Sequence, residues 1–360
     1  MEEKFLIIDS NALIHRAFHA LPDTMENNDG LKTNSIYGFS NILLKIINEL
    51  KPTHIAACFD VKKETFRNDL YKEYKANRKK QPQELYDQIP YIKKVLSAFN
   101  IKILEKEGYE ADDLIGSLTS KIKDINKIIL TGDKDSFQLI DKETSVLTFR
   151  KGISETFTYN IFNIKEETGL NPEQIIDYKS LRGDASDNIP GVSGIGEITA
   201  IKLLDKFNNL ENLYKNIENN YEDLIKEKLF SERIYKKIKE EKEKAFLSKE
   251  LATIKCDIKI DYEKDDFRLE KRNDEEIKNL FEYLNFFSLI KKLNLEKNNY
   301  ENKQKEENII FNEDINIDNI QNDFIFLLDN NLKNILYYNN EKIYYSENVK
   351  KYKKIFEDEN

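Results

Sequence analysis

Nine carboxylates in five short stretches raise the question of chemistry. Asp9 closes the apolar run "FLIID", Asp60 closes "HIAACFD" and Asp133 closes "KIILTGD", with Asp135 two residues further on. "GYEADDLIG" adds Glu110, Asp112 and Asp113, and "GDASD" adds Asp184 and Asp187. Acids gathered at one edge repel one another unless a cation sits among them. An all-oxygen set without His or Cys suits Mg²⁺ or Mn²⁺. Two such ions about 4 Å apart can activate a water and stabilise a leaving oxygen in phosphodiester cleavage. Each stretch also has an ordinary reading, because Asp closes turns and acids in a first helical turn favour the helix dipole. Their joint placement at strand ends and helix starts is what argues for one site.

The elements that must hold these acids are legible in the hydrophobic pattern. The three apolar runs ending in Asp are short and unbroken, as strands buried on both faces of a parallel sheet are. Helical patterns lie between them, in "IYGFSNILLKIINEL" (36–50), "YDQIPYIKKVLSAF" (86–99) and "DDLIGSLTSKI" (112–122). Alternating strands and helices predict an α/β domain with a mostly parallel sheet. Sites in such sheets form at the carboxyl ends of strands, where Asp9, Asp60 and Asp133 stand. At about 100° per residue, Glu110 and Asp113 share a helix face and Asp112 lies one step away.

From about residue 172 the pattern turns mainly helical, ending in "EEIKNLFEYLNFFSLIKKL" (275–293). "NLEKNNYENKQKEEN" (294–307) has almost no apolar residues and reads as a linker. Beyond it, "NDFIFLLD", "NILYYNN" and "KIYYS" predict three short strands, followed by a helical "VKKYKKIF". We expect residues 308–360 to be a small or partial α+β domain.

A second feature lies beside the acids. "KKETFRNDLYKEYKANRKK" (62–80) sets eight Lys and Arg against three acids in a chain of net charge −9, with Phe66, Tyr71 and Tyr74 interleaved. Basic residues neutralise phosphates and aromatic rings can stack on unpaired bases, although a charge run can also be a plain solvated face. The stretch begins two residues after Asp60 and so must lie near the carboxylate edge. A third feature is "NIPGVSGIGEITAIKLL", with Gly191, Gly194 and Gly196 before an apolar helical stripe. Such a turn lets backbone N–H groups approach a phosphate closely at a helix N-terminus, or it simply caps the helix. It is not a dinucleotide fingerprint, since a third glycine at the required spacing and a preceding strand are both missing.

Composition bounds the rest. The acidic average argues against a nonspecific nucleic-acid binder, so any such contact must be local. Two distant cysteines and three histidines make neither a disulfide framework nor a Cys/His zinc site, and a cytoplasmic location is expected. No apolar run approaches about 18 residues, and the N-terminus lacks a signal-peptide core.

Five stretches, "DSNALIHRAFHALP", "FDVKKETFRNDLYKEYKANR", "GYEADDLIGSL", "ILTGDKDSFQLI" and "LRGDASDNIPGVSGIGEITAIKLL", occur in the order and spacing of the 5′-nuclease family. Over roughly residues 3–292 the chain resembles its flap endonucleases and 5′–3′ exonucleases, and among them the N-terminal nuclease domain of bacterial DNA polymerase I. The resemblance implies a PIN-like α/β nuclease domain over 1–171 with a helical arch at about 62–90. It implies a helix-hairpin-helix DNA-binding subdomain over 172–293. It implies two sites for Mg²⁺ or Mn²⁺, the first held by Asp9, Asp60, Glu110, Asp112 and Asp113 with help from Asp133, the second by Asp135, Asp184 and Asp187. It implies that Arg16, Arg67, Tyr74, Lys75 and Arg78 meet DNA near the scissile phosphate, with Lys75 and Arg78 stabilising developing charge. The turn at Gly191, Gly194 and Gly196 would grip the downstream duplex, with K⁺ at its carbonyls.

The implied activity is metal-dependent hydrolysis of DNA at 5′ flaps, nicks and ends, including RNA primers, by a monomer. Two departures are visible: Ser10 stands where glycine is frequent and Ile198 where lysine often occurs. The tail resembles the first strands of a proofreading exonuclease domain, but "LLDNN" lacks that domain's D-x-E pair, so no second activity is expected. The chain also ends before a polymerase region could begin, which leaves a fragment, a truncated polymerase I and a stand-alone nuclease all open. A silent DNA-junction-binding module and a PIN-like RNase remain as alternative readings.

Overall fold

In a computed structural model of the chain, residues 2–61, 63–152, 155–219 and 231–295 are described, together with four strands between 310 and 346. The unbroken apolar runs form the middle of a six-stranded sheet ordered β3-β2-β1-β4-β5-β6. β1 (Lys4–Asp9), β2 (His54–Cys58), β3 (Lys102–Leu104), β4 (Asn126–Leu130) and β5 (Thr144–Lys151) are parallel, and β6 (Glu155–Tyr159) is antiparallel to β5. Phe5–Ile8 and Ile55–Cys58 are buried throughout, which is why these strands show no alternation. The order reverses between β1 and β4, so the crevice beyond their carboxyl ends is the place where such a sheet builds a site.

Helices supply the covering layers. α1 (Ser10–Ala20), α2 (Asn34–Leu50), α3 (Phe66–Leu70), α4 (Gln83–Ala98) and α5 (Ala111–Lys121) lie among the first four strands. Leu114, Ile115 and Leu118 of α5 pack with Phe5, Ile7, Ala56 and Ile129 of the sheet. The later part is helical as its pattern predicts. It comprises α6 (Ile164–Thr168), α7 (Ile175–Arg182), α8 (Glu197–Phe207), α9 (Leu210–Asn219), α10 (Glu232–Glu240), α11 (Lys242–Ala252), α12 (Asp274–Tyr283) and α13 (Phe287–Lys292). After α11 an extended segment, 253–272, returns along the α/β part. Ile258 N–H donates to Ser117 of α5 and Leu269 N–H to the Thr53 carbonyl.

The expected arch over 62–90 differs from a helical one. Among the described residues of that range, only α3 and the start of α4 are helical, and residues 72–77 form successive turns with Lys75 at a φ of 56°. Residues 291–360 form a second compact unit, separate from 1–290. Its four-stranded sheet is ordered β7-β10-β9-β8, from β7 (Ile310–Phe311), β8 (Ile325–Leu328), β9 (Ile335–Asn339) and β10 (Lys342–Ser346). The three predicted strands are β8, β9 and β10. Nearly all of the 294–307 linker, Asp329 and the helical "VKKYKKIF" lie outside the described residues. No helix among the described residues is long and apolar enough to cross a membrane.

Candidate functional site

The strand-end acids converge because each is built into the start of the next element. Asp9 ends β1 and caps α1, its Oδ1 accepting the Ala12 N–H at 3.0 Å. Its other oxygen accepts the Thr131 hydroxyl at 2.6 Å, and that hydroxyl also accepts the Asp133 N–H. Asp133 in turn accepts the Asp135 N–H at 2.9 Å. One chain of hydrogen bonds thus runs from β1 across the loop after β4. Asp60, beyond β2, accepts the Ala111 N–H that opens α5, while its own N–H is held by Asn11. Thr131 and Asn11 thus organise the edge without being acids themselves. Their signal was present, since each lies within two residues of a strand-end Asp.

Electrostatics bind these acids into one group. Burial pushes the Asp9 carboxyl up to about 7 against its two hydrogen bonds, and the charges of Asp60 and Asp133 add to the rise. Burial raises Asp112 well above the ordinary carboxylate range, with Asp9, Asp133, Asp135 and Asp60 all contributing. Burial and then Asp133 lift Asp135 to about 7, although Lys179 opposes them. Protein packed around Asp60 raises it too. Anions held together this way demand a proton or a cation.

The donor set fits a divalent ion. It is all oxygen, and the buried Asp112 Oδ1 has no hydrogen-bond partner. Among the described residues, no three His, Cys, Asp or Glu side chains already stand at the spacing of a metal-binding group. Most of the acids are drawn toward hydroxyl, backbone or basic partners instead.

The basic stretch folds onto this edge. Lys75 reaches Glu110 at 2.7 Å, and its backbone N–H donates to the Asp187 carbonyl. Arg78 pairs with Asp187, and Asn77 donates to the Ala185 carbonyl. Lys75 and Arg78 therefore sit at the carboxylates, and Arg78 stays half exposed. Tyr74 does not offer a stacking surface. It is buried against Ile189, Leu251 and Ala252, and its hydroxyl donates to Glu110 at 3.2 Å. The expectation that it meets DNA is corrected by this burial. Arg16 belongs to α1 and its side chain packs on the β5–β6 hairpin, donating to the Gly152 and Phe149 carbonyls and stacked on the Phe149 ring.

Two further expectations fail together. Arg67 and Asp113 are both buried and form a bidentate pair at 2.7 and 2.8 Å. Each Asp113 oxygen also takes a backbone N–H, from Glu110 at 3.1 Å and Lys255 at 2.9 Å. A carboxylate offers about four acceptor positions, so none remains for a metal. Arg67 donates in addition to the Leu251 and Thr253 carbonyls at 2.9 Å and to Glu110 at 3.4 Å. All five guanidinium donors are engaged, so none remains for a phosphate. Glu110 is the extended N-cap of α5 and Asp113 lies in its first turn, and both carboxylates meet Arg67.

Asp184 and Asp187 are not on a helix. Residues 184–189 form a turn closed by paired backbone hydrogen bonds between Asp184 and Ile189. Asp187 faces the basic turn, whereas Asp184 pairs with Lys179 of α7 at 2.6 Å, and Lys179 also pairs with Asp135. Burial opposes ionisation of Asp184, but Lys179 and Ser186 outweigh it and hold the carboxyl at about 2. Lys179 carried no sequence signal, since one lysine in "DYKSLR" looks like any solvated helical lysine.

The glycine turn is also sorted. Gly191 is buried at a φ of 61°, and its N–H donates to Ser248. It serves close packing against Gly183 and is not open to a phosphate, which corrects its assignment to DNA. Gly194 and Gly196 are exposed before α8.

Known proteins share this architecture. A family model for the 5′–3′ exonuclease N-terminal resolvase-like domain matches residues 4–169, and one for the 5′–3′ exonuclease C-terminal SAM fold matches 170–275. DNA polymerase I of Caldicellulosiruptor bescii is 44% identical over 81% of this chain and 34% of its own length. DNA polymerase I of Bacillus subtilis is 43% identical over 85% of this chain and 34% of its own. The chain thus spans about a third of the length of these curated relatives. Among solved structures, T5 5′-exonuclease with bound divalent metal ions (zinc) aligns at a TM-score of 0.57 and 20% identity, over 78% of this chain and all of that one. The catalytic core of Rad2 in complex with DNA substrate aligns at 0.52 and 17%, over 78% and 87%. At such identities these two speak for the fold alone. With both family models matched in order across residues 4–275, and the sheet they describe carrying the carboxylate edge, this chain belongs to the 5′–3′ exonuclease family.

Proposed function

We propose that the chain is a divalent-metal-dependent 5′–3′ exonuclease and structure-specific 5′ flap endonuclease, acting on DNA at 5′ ends, nicks and flaps. The observation that carries this reading is the set of mutually destabilised carboxylates at the sheet edge, with Asp112 Oδ1 buried and unpartnered. Asp9, Asp60, Glu110, Asp112 and Asp133 would hold one Mg²⁺ or Mn²⁺, and Asp135, Asp184 and Asp187 a second. When bound, such ions supply Lewis-acid charge that lowers the pKa of a water and offsets charge on the phosphate.

The chain's own residues do the rest. Lys75 and Arg78 are aimed at the same edge and would exchange their carboxylate partners for the phosphate as ions neutralise the acids. The exposed Gly194 and Gly196, at the N-terminus of α8, offer backbone N–H groups to duplex phosphates, with K⁺ at the turn's carbonyls. Arg16 of α1, held against the β5–β6 hairpin, would meet the DNA from the same side. The proposed role is in DNA replication and repair, in keeping with relatives named DNA polymerase I, and extends to RNA primer removal by a cytoplasmic monomer.

A 5′-labelled flap incubated with the protein in Mg²⁺ and in EDTA tests this. Short labelled products with 3′-hydroxyl ends are expected only in Mg²⁺, with the new 5′-phosphate on the downstream strand. Binding without any product would favour a silent junction-binding module, and preference for an RNA flap over a DNA flap would favour a PIN-like RNase.

A further inference from the structure

We infer that Arg67 and Asp113 are a positioning couple for the carboxylate edge, acting without contact to metal or DNA. This rests on the nuclease reading above and assigns to the same site two residues that hold its parts in register. Three chain segments meet at the couple. Arg67 belongs to α3, at the root of the basic turn that carries Lys75 and Arg78. Asp113 belongs to the first turn of α5 and reaches back to the Glu110 N–H, so it caps the helix that presents Glu110 and Asp112. The carbonyls of Leu251 and Thr253 and the Lys255 N–H belong to the chain leaving α11, which packs on α7, the helix of Lys179.

The geometry of the couple is over-determined. A fork-to-fork pair fixes the planes of both groups, and the remaining donors and acceptors are filled by backbone of the other two segments and by the Glu110 carboxylate. The Phe66 ring lies against the guanidinium, 4.6 Å from its carbon, which closes the remaining side. Glu110 feels the couple twice, through its backbone N–H to Asp113 and its carboxylate to Arg67. A displacement of Arg67 therefore moves the basic turn, Glu110 and the α11 end together. Chemistry at a phosphate is sensitive to such shifts, since about 1 Å of misplacement can cost about 100-fold in rate.

The test is a cycle of Asp113→Asn, Arg67→Gln and the double variant, with Arg67→Lys as the variant that keeps charge and most side-chain volume. Cleavage of a 5′-flap DNA is followed against DNA and Mg²⁺ concentration, and amide hydrogen exchange is read at Glu110 and Lys255 in EDTA. Expected are losses in kcat of about tenfold or more for both single variants, with KM for DNA within about threefold of the parent. The double variant should be no worse than the poorer single one, because the two act as a unit. Arg67→Lys should recover part of the loss, and exchange at Glu110 and Lys255 should quicken in Asp113→Asn. A raised KM with unchanged kcat in Arg67→Gln would make Arg67 a DNA contact and overturn the proposal. So would a weakened Mg²⁺ dependence in Asp113→Asn with Arg67→Gln near the parent, which would make Asp113 a ligand. If the parent protein cleaves nothing, the nuclease reading fails. The exchange data still decide the couple, with unchanged protection in both variants overturning it.

Discussion

Lys179 binds the two acids expected to serve a second metal, donating to Asp184 at 2.6 Å and pairing with Asp135. One ammonium stands between carboxylates from the loop after β4 and the turn after α7. Burial would depress this lysine, but the two acids raise it instead, so it stays charged across the physiological range.

Replacing Lys179 with Met should therefore release Asp184 toward the ordinary carboxylate range. Because its folded pKa of about 2 lies below the unfolded value, Asp184 adds stability that is present above about pH 4 and lost as pH falls toward 2. Lys179→Met should cost on the order of 1 kcal/mol at pH 7 and flatten that acid limb. Urea melts at pH 3 and pH 7 check this, and an unchanged acid limb would count against the pair.

Asp9, Asp112 and Asp135 give the opposite sign. Their folded pKa values lie above the unfolded ones, at about 7 for Asp9 and Asp135. They bind more protons folded than unfolded, so the metal-free protein should lose stability as pH rises from about 4 to about 7. Divalent ions compete with those protons, so their affinity should climb over the same range. Melting in EDTA and in Mg²⁺ at pH 6 and pH 8 should show a larger Mg²⁺ stabilisation at pH 8.

Asp112→Asn and Asp187→Asn should leave the fold intact and slow flap cleavage by about 100-fold or more, the scale of losing a preorganised charge at the reacting phosphate. Asp112→Asn should also raise the melting temperature in EDTA, because it removes a buried like charge among four others. Full activity in both variants would sink the metal assignment.

Ile198 is 71% exposed in the first turn of α8, where the family resemblance leads to an expectation of lysine. Ile198→Lys should steepen the salt dependence of duplex binding by about one ion and tighten binding a few-fold at low salt. Fluorescence anisotropy with duplex DNA from 50 to 200 mM salt checks both, and an unchanged slope would place this turn away from the backbone.

Gly191→Ala should destabilise by roughly 2–4 kcal/mol, since an added Cβ would meet the Gly183 nitrogen at 2.2 Å at a positive φ. Gly196→Ala should be close to neutral, because open space surrounds its Cβ direction. Chemical denaturation of both variants separates the packing glycine from the one left open to a ligand.

The chain order of apolar runs and helical stripes determined the parallel sheet, and the Asp closing each run determined that β1, β2 and β4 would deliver acids to one edge. These are local facts, because strand burial and the carboxyl-end rule depend on short stretches alone. Spacing alone also put Glu110 and Asp113 on one face. Which partner that face would meet was decided only by the fold. Arg67 lies 46 residues away from Asp113, and the carbonyls that complete its shell come from 251 and 253. The burial of Tyr74 and Gly191 was decided by the fold in the same way. An aromatic in a basic run and a glycine in a turn look available until residues from distant segments bury them. A buried charge or donor takes whatever partner the tertiary packing delivers, and that partner decides whether the residue holds the site together or faces the substrate.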